Sequence, residues 1–187
     1  MREQKNARVL VKGYVESGYQ SIPYLRLSDE EYGRTLQSIV VACTDIVPID
    51  SEQKTIYLAP RQAKPMQGWW LIGGKMIPGD SIEASAAKNL ERETSLTVAP
   101  ERLTLHAVFN YMWKDRSQQP SDIGCHMLGH TFSIELTPQE IEFVSQNLEK
   151  NEYKKGGLSS FDRQRLVKEK VFPAILDLYD KIFPDEN

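Results

Sequence analysis

Residues 73–96, with the sequence GGKMIPGDSIEASAAKNLERETSL, carry the residue types and spacing that best suit chemistry. The glycine pair at the start of this stretch allows the backbone to bend sharply and to approach a ligand closely. A helix N-terminus nearby favours anions, so the stretch is typical of a phosphate-binding loop that leads into a helix. Ordinary strand–helix turns also contain glycine pairs, and the choice between the two readings depends on the residues that follow.

A helix is predicted over residues 82–94, because apolar side chains recur on one side at about 100° per residue. Asn89, Arg92 and Glu93 share one face of this helix, since residues three and four apart are neighbours. That face combines one carboxylate with one cation, so its net charge is near zero. The helix therefore presents few carboxylates for a metal ion.

The register of this stretch resembles the Nudix box, whose pattern is Gly, five residues, Glu, seven residues, then Arg-Glu-apolar-x-Glu-Glu-x-Gly-apolar. Length and register match without a gap, and identities fall at Gly74, Leu90, Glu93 and Leu96. The resemblance covers roughly residues 36–182. It implies an α+β fold of the Nudix type, an α/β/α sandwich with a mixed sheet flanked by helices.

The same resemblance implies a Mg²⁺ cofactor, with Mn²⁺ as an alternative, because helix glutamates of the family bind Mg²⁺ that polarises a diphosphate and its attacking water. Glu93 can supply a carboxylate and Asn89 a neutral carbonyl, both of them hard oxygen ligands. Gly73 or Gly74 can add a backbone carbonyl. Arg92 would repel a second cation, so we expect one metal ion whose shell the phosphates of the substrate complete.

Asp80 and Lys88 occupy the positions of a Glu–Arg pair that braces the loop in the family. The resemblance implies that they form a structural pair, with a shorter acid and a point-charge cation. The alternative is a pair of solvated charges, which would contribute little to stability.

Residues 61–70, RQAKPMQGWW, are similar to the corresponding segment of the GDP-mannose mannosyl hydrolase branch. The box of that branch retains only the last helix glutamate and works with one Mg²⁺. By this resemblance Arg61 and Lys75 hold the diphosphate, and their charges do suit phosphate oxygens. Solvated surface cations are the alternative for both. Arg92 is a further predicted substrate contact.

Two more substrate-binding residues are predicted upstream of the box. Asp45 matches an acidic substrate-side position of the same branch, although a strand-end aspartate is often only a turn residue. Trp69 and Trp70 alternate faces, so one belongs to the core and the other could stack on a base or a sugar. We assign Trp69 to the substrate.

The general base of that branch is a histidine in the loop before the last helix, and this chain has none there. The matching loop, residues 150–155, offers Glu152 as a metal ligand or weak base; Tyr153 is a poor base, given a reference pKa near 10. The histidines lie in predicted strands. His126 and His130 point to the same face and could reach the site, but packing is the commoner role.

A mixed sheet covered by helices must position these groups. Strands are predicted over 38–47, closed by Pro48; 55–59, closed by Pro60; 69–72; 103–113; and 125–136. Helices are predicted from a capping box at Ser28 to about Leu36, over 82–94, from Thr137, and from a Ser160 cap over 161–183 with a kink at Pro173. We expect a Nudix domain over 28–187. The N-terminal extension, 1–27, could serve dimerisation or cover the pocket.

Bulk properties narrow the function classes. The 187 residues suit one domain, and a net charge of −3 offers no basic footprint for nucleic acid. No apolar run approaches the roughly 18 residues that a membrane helix needs. The two cysteines form no metal-type pair, which predicts reduced thiols and a cytoplasmic location. Homodimer formation is implied by resemblance only.

The favoured function is a Mg²⁺-dependent hydrolase of a nucleoside diphosphate linked to another moiety, with a nucleotide sugar as the preferred case. Glu93 and Glu152 are its predicted catalytic residues. The alternative is a catalytically inactive Nudix domain that senses a nucleotide or nucleotide sugar, motivated by Asn89, Arg92 and the missing histidine. A third possibility is a protein-interaction module that acts through the C-terminal helix.

Overall fold

A seven-stranded mixed sheet forms the centre of the computed structural model, which describes residues 11–184. The strands are β1 (Val41–Asp50), β2 (Thr55–Arg61), β3 (Gly68–Trp70), β4 (Ile72–Lys75), β5 (Thr104–Trp113), β6 (Cys125–Glu135) and β7 (Ser159–Phe161). The helices are α1 (Asp29–Thr35), α2 (Ile82–Thr94), α3 (Pro138–Asn147), α4 (Arg163–Lys168) and α5 (Pro173–Ile182), with a short 3-10 turn at Pro100–Arg102. This architecture confirms the predicted α+β fold.

Strand β1 lies at the centre of the sheet and organises the site. It runs parallel to β6 on one side. On the other side its N-terminal half pairs antiparallel with β4 and its C-terminal end pairs antiparallel with β2. The register sets Asp45 opposite Gly73, so a β1 carboxylate and the glycine loop are neighbours.

The core has two halves, one on each face of the sheet. Side chains alternate along a strand, so Ile46 faces α2 and α3, whereas its neighbour Val47 faces α4 and α5. Both side chains are fully buried. Leu90 anchors α2 in the first half, and Leu178 anchors α5 in the second. Helices therefore cover both faces, as the sandwich architecture requires.

Prolines do not end the first two strands, contrary to the sequence-based expectation. β1 continues through Pro48, which stays in register with Ile134 of β6, and β2 continues through Pro60. A proline removes one backbone donor but leaves the chain extended, so the ladder survives where that donor is not needed. The strand predicted over 69–72 is in fact two strands, β3 and β4, separated at Leu71.

The single C-terminal helix predicted over 161–183 is wrong. Ser160 lies in β7, paired with β2, and Asp162 caps the short helix α4 by accepting a hydrogen bond from the Arg165 amide. Lys170 then adopts a positive φ of 51°, which ends the helical run. Pro173 opens α5 at its first turn, where a missing N–H costs nothing.

Other predicted elements are confirmed. α2 spans the predicted residues, β5 and β6 form the predicted antiparallel hairpin, and Thr137 caps α3 through a capping box with Glu140. The capping box at Ser28 is present as well, with the Ser28 amide 2.9 Å from a carboxylate oxygen of Glu31. Every helix within 11–184 is too short or too polar to cross a bilayer.

Loop 114–124 joins β5 to β6 and is held by a buried arginine. Arg116 is 1% exposed and donates to the backbone carbonyls of Pro120 (3.1 Å), Gln118 (3.2 Å) and Gly124 (3.4 Å). Helix α1 packs directly on this loop, because a Cβ on Gly33 would overlap the carbonyl oxygen of Gln119.

The sequence predicts that the N-terminal extension ends at residue 27 and that the domain begins at residue 28. Residues 11–27 have no regular secondary structure and are mostly exposed. Residues 1–10 of the predicted extension and residues 185–187 at the end of the predicted domain lie outside the described residues.

Candidate active site

A cleft of about 660 Å³ opens beside the glycine loop. Its walls come from the N-terminal segment, β1, the ends of β2 to β5, α2 and the loop before β7. Most of the predicted site residues line it, namely Asp45, Arg61, Gly73, Gly74, Lys75, Arg92, Glu93 and Glu152. Trp69 and Asn89 do not.

Close packing requires glycine at position 73, and at position 74 a side chain would displace Arg92. A Cβ on Gly73 would overlap the carbonyl oxygen of Thr44 on β1, and a Cβ on Gly74 would overlap the guanidinium of Arg92. The loop therefore lies against both β1 and α2, and its carbonyls are already engaged. Gly73 O accepts a hydrogen bond from Arg92 at 3.3 Å.

Asn89 fastens this loop instead of facing the cleft. Its side chain is 1% exposed, and its amide nitrogen donates to Thr44 Oγ1 (2.8 Å), Gly74 O (3.1 Å) and Lys75 O (3.2 Å). Both loop carbonyls are acceptors only, so the nitrogen of the amide must face them. These bonds argue against the predicted role of Asn89 as a metal ligand and give it a structural one.

Glu93 is the most buried carboxylate of the cleft, at 3% exposure. Its Oε1 accepts a hydrogen bond from Arg92 Nη2 at 2.7 Å, while its Oε2 has no aligned hydrogen-bond partner among the described residues, although the Tyr153 hydroxyl lies close to the carboxylate. Burial raises the pKa of Glu93, Arg92 lowers it, and the negative charge of Glu152 raises it again. A buried carboxylate oxygen without a donor is suited to a cation.

Glu152 reaches the cleft from the loop before β7. Its Oε2 lies 2.8 Å from Arg61 Nη2, in an ion pair without the alignment of a hydrogen bond. Backbone hydrogen bonds fix the loop at two points, from Glu149 N to Glu93 O and from Gln62 N to Glu152 O, both 2.8 Å. The two carboxylates therefore face one cleft from elements that are tied together.

Tyr153, next to Glu152, is buried beside Glu93. Burial raises its pKa well above that of an exposed tyrosine, and the charge of Glu93 raises it further. Its hydroxyl therefore stays protonated near neutral pH and cannot act as a general base, in agreement with the sequence-based argument.

Asp45 is an unpaired carboxylate in the cleft wall. It is 8% exposed, and no described residue donates a hydrogen bond to it. Burial raises its pKa to about 7, and the charge of Arg61 lowers it only in part. Gly129 makes room for this side chain, because a Cβ there would lie 2.8 Å from both Asp45 Oδ2 and the Tyr111 ring.

Aromatic side chains form an apolar wall, but the predicted tryptophan is not among them. Trp70 lines the cleft, and its ring centroid lies 5.8 Å from that of Tyr111 and 5.7 Å from that of Trp113. Trp69 does not line the cleft, and its ring centroid lies 5.1 Å from that of Phe161 in the core. The tryptophan predicted to contact the substrate, Trp69, therefore lies outside this cleft, and Trp70 forms part of its wall.

The Lys88 and Asp80 side chains meet, with Lys88 Nζ 2.8 Å from one carboxylate oxygen and 2.9 Å from the other. The pair joins α2 to the loop in front of it. The lysine side chain is 54% exposed, so screening by solvent keeps the contribution of the pair to stability small.

None of the three histidines lines the cleft. His106 contacts Ser133 Oγ at 2.8 Å, and His130 Nδ1 donates to the carbonyl of Cys43 at 3.1 Å. His126 contacts Asn110 on the outer face of the hairpin. Packing and cross-strand contacts account for all three.

Several cleft residues were not found from the sequence, namely Arg26, Tyr32, Trp70, Tyr111 and Trp113, nor was Gly129, which makes room for Asp45. Period-two alternation along β5 places Tyr111 and Trp113 on one face, and this pattern was available. Arg26 offered no signal, because only the folded chain brings the segment before α1 to the glycine loop.

Within 11–184 no group of three or more His, Cys, Asp or Glu side chains is arranged around a common metal position. Glu93, with its free buried oxygen, and Glu152 nonetheless fit one hard cation. With two carboxylates as ligands, the coordination shell of the cation would still have positions for water or phosphate oxygens. The donor set thus suits one ion rather than several.

Comparison with known proteins gives a family and a fold. The family model described as NUDIX domain matches residues 41–167. A MutT NUDIX hydrolase from Burkholderia pseudomallei is 15% identical, with a TM-score of 0.57 over 78% of this chain and 99% of that chain. The MutT protein of Methanosarcina mazei Go1 is 14% identical, with a TM-score of 0.55 over 78% and 94%.

The ORF135 protein of E. coli is 16% identical, with a TM-score of 0.51 over 81% of this chain and 99% of that chain. At these identities the likeness concerns the fold alone. A comparison with curated proteins returned no match.

Proposed function

The chain belongs to the Nudix hydrolase family, and we propose that it hydrolyses a nucleoside diphosphate linked to another moiety, with a nucleotide sugar as the favoured substrate. The observation that carries the proposal is the buried, unpartnered oxygen of Glu93 beside the glycine loop. The reduced box then represents a one-metal site of the kind found in the GDP-mannose mannosyl hydrolase branch.

Glu93 and Glu152 would hold one Mg²⁺ or Mn²⁺ ion. The Gly73 carbonyl, which has a second lone pair besides the one that accepts from Arg92, is a predicted third ligand. When bound, such an ion neutralises charge on the diphosphate and on its leaving group. The Arg92 guanidinium sits against the other oxygen of Glu93, so it occupies the space that a second cation would need. This contact supports a single-ion site.

The diphosphate would lie between Arg61 and Lys75, which both line the cleft. Arg61 is paired with Glu152 in the ligand-free chain, so a metal ion on Glu152 would free the guanidinium for phosphate. Glu152 has a second candidate role, which is to accept the proton of the attacking water. Either role keeps it in contact with the reacting groups.

The moiety beyond the diphosphate would lie against Trp70, Tyr111 and Trp113, with Asp45 as its hydrogen-bond acceptor. A buried carboxylate without a donor favours a ligand that brings hydroxyl or N–H groups. Aromatic faces suit the apolar face of a sugar ring or a base. Both features support a nucleotide sugar over an inorganic or purely phosphate substrate.

The test combines a substrate panel with one substitution. Nucleotide sugars, dinucleotides and nucleoside triphosphates are incubated with the protein and Mg²⁺ or Mn²⁺, and products are quantified by chromatography. Glu93→Gln should lower turnover by more than about 100-fold, because even indirect metal contacts are worth 10–100-fold. Glu91→Gln, an exposed residue of the same helix, is the matched control. Undiminished turnover in Glu93→Gln would refute the assignment.

Glu152→Gln separates the two roles of Glu152. The glutamine keeps a neutral ligand oxygen but cannot accept a proton. Weaker metal affinity with a partly retained kcat indicates a ligand. A large loss of kcat at saturating metal, without a change in metal affinity, indicates the base.

A catalytically inactive sensor of nucleotides is the second candidate. The Arg92–Glu93 contact and the absence of a histidine from the described cleft favour it. In the same panel, it predicts a rise in melting temperature with a ligand and no product. Product formation that depends on Glu93 would exclude it.

Three further properties belong to this proposal. We expect the Nudix domain to span 28–187, with the N-terminal extension completing its cleft. We also expect the protein to form a homodimer and to be located in the cytoplasm. Cys43 and Cys125 are both free and buried, which agrees with reduced thiols. Sedimentation at micromolar concentration tests the dimer.

A further inference from the structure

The segment formed by residues 19–27 lies before the part of the chain that matches the family model. We propose that this N-terminal segment completes the phosphate-binding part of the cleft and supplies Arg26 as an additional ligand for the diphosphate. The inference rests on the proposed function for the identity of the anion. It assigns a binding role to a segment outside residues 41–167.

Contacts place the N-terminal segment on the glycine loop at two points. The Lys75 ammonium lies 5.5 Å from the ring centroid of Tyr24 and 4.5 Å from that of Tyr32. Further along the loop, Ser21 Oγ and the Tyr19 hydroxyl lie 3.2 and 3.4 Å from where a Cβ on Gly79 would stand. The segment thus follows the loop from Lys75 to the entrance of α2.

The course of the N-terminal segment along the glycine loop brings Arg26 to the cleft. Arg26 is exposed and lines the cleft together with Tyr32. Because Lys75 lines the cleft as well, two cationic side chains from different segments face the same cavity.

The charge balance of the cleft distinguishes these two cations from the others. Five cationic side chains line it, and three of them have a carboxylate partner. The paired ones are Arg61 with Glu152 at 2.8 Å, Arg92 with Glu93 at 2.7 Å, and Lys64 with Asp115 at 3.3 Å. Within 11–184, Arg26 and Lys75 have no carboxylate in contact.

An unpaired arginine and an unpaired lysine beside a glycine loop suit a phosphate group. The aromatic rings hold the Lys75 ammonium by cation–π contact and leave its charge uncompensated. The guanidinium of Arg26 offers a planar set of donors that matches two phosphate oxygens at once. The two cations would therefore share the diphosphate that Arg61 approaches from β2.

The experiment measures the binding of inorganic pyrophosphate to the full-length protein by isothermal titration calorimetry. Wild type is compared with Arg26→Ala, Arg26→Lys and Lys75→Ala. Lys12→Ala removes the same charge from the same end of the chain, away from the cleft, and is the control. Circular dichroism melts confirm that each variant is folded.

Arg26→Ala should weaken pyrophosphate binding about tenfold, the size expected for one charge-assisted hydrogen bond. Arg26→Lys should recover part of the loss, and Lys12→Ala should bind within about twofold of wild type, because a distant exposed charge is screened. Guanosine, which lacks phosphate, should bind the wild type and Arg26→Ala equally.

The two hypotheses fail in different ways. If Lys75→Ala weakens binding and Arg26→Ala does not, the role of the N-terminal segment is refuted and the proposed function stands. If pyrophosphate does not bind the wild type, or if neither substitution changes its affinity, the diphosphate is not bound here and both are refuted. An equal loss in Lys12→Ala would show a general charge effect and would also refute the role of Arg26.

Discussion

Asp45→Asn should stabilise the fold, and the gain should increase with pH. Asp45 is an almost fully buried carboxylate, and burial raises its pKa from 3.8 to about 7. Between pH 3.8 and about pH 7, Asp45 is therefore protonated in the folded state and ionised in the unfolded chain. Because the unfolded state binds fewer protons, stability falls as pH rises through this window and is constant above it.

The magnitude follows from the two pKa values. At pH 8, ionised Asp45 lowers the free energy of unfolding by about 4 kcal/mol, relative to an aspartate whose pKa is the same in the folded and unfolded states. This value is an upper bound. At pH 5 only part of this loss has occurred. The difference in stability between Asp45→Asn and wild type should therefore grow by about 2–3 kcal/mol between pH 5 and pH 8.

Urea denaturation of metal-free protein, in the presence of a chelator, measures the difference at several pH values. Other groups that titrate, Glu93 among them, are present in both proteins and cancel in the comparison. Asp177→Asn replaces an exposed carboxylate on α5 and should show no such trend. A difference that is constant or that shrinks as pH rises would refute the reasoning. Catalytic activity should fall in Asp45→Asn, since the stability is gained at a proposed binding residue.

Three further predictions concern packing around the cleft. Gly129→Ala should lower the free energy of unfolding by about 1–3 kcal/mol in thermal or urea melts, because the added methyl crowds Asp45; Gly13→Ala, which meets no atom within 4 Å, is the control. Arg116→Ala should cost about 2–4 kcal/mol and speed proteolysis between β5 and β6, since it leaves several backbone carbonyls of that loop without their donor. Trp69→Ala should lower the melting temperature, because it removes the contact with Phe161, without changing nucleotide affinity. A large loss of affinity would show that Trp69 contacts the substrate after all.

Sequence patterns predicted the elements whose signals are local. The helix over 82–94 is placed correctly because its apolar side repeats regularly. Sequence patterns failed where residues distant in the chain determine the secondary structure. Pro48 does not stop a strand that β6 supports along nearly its whole length. The helix expected over 161–183 starts later because β2 pairs with residues 159–161, and it is divided where Lys170 adopts a positive φ.

The site follows the same division. Register within one segment identified Glu93 and the Asp80–Lys88 pair, which are neighbours along α2 and its loop. The environment of Asp45 depends on Gly129 of another strand, and the position of Arg26 depends on where the N-terminal segment lies. Both require the folded arrangement, because no local pattern encodes which strand or loop a residue will meet.

The contact between α1 and loop 114–124 has a consequence for the order of assembly. Backbone touches backbone where Gly33 meets Gln119, so α1 has no place to dock until that loop has formed. α1 precedes loop 114–124 in the chain, so it is synthesised before the surface on which it docks. We therefore expect α1 to dock only after the β5–β6 hairpin and its loop have formed, so that a late, long-range contact joins α1 to that hairpin.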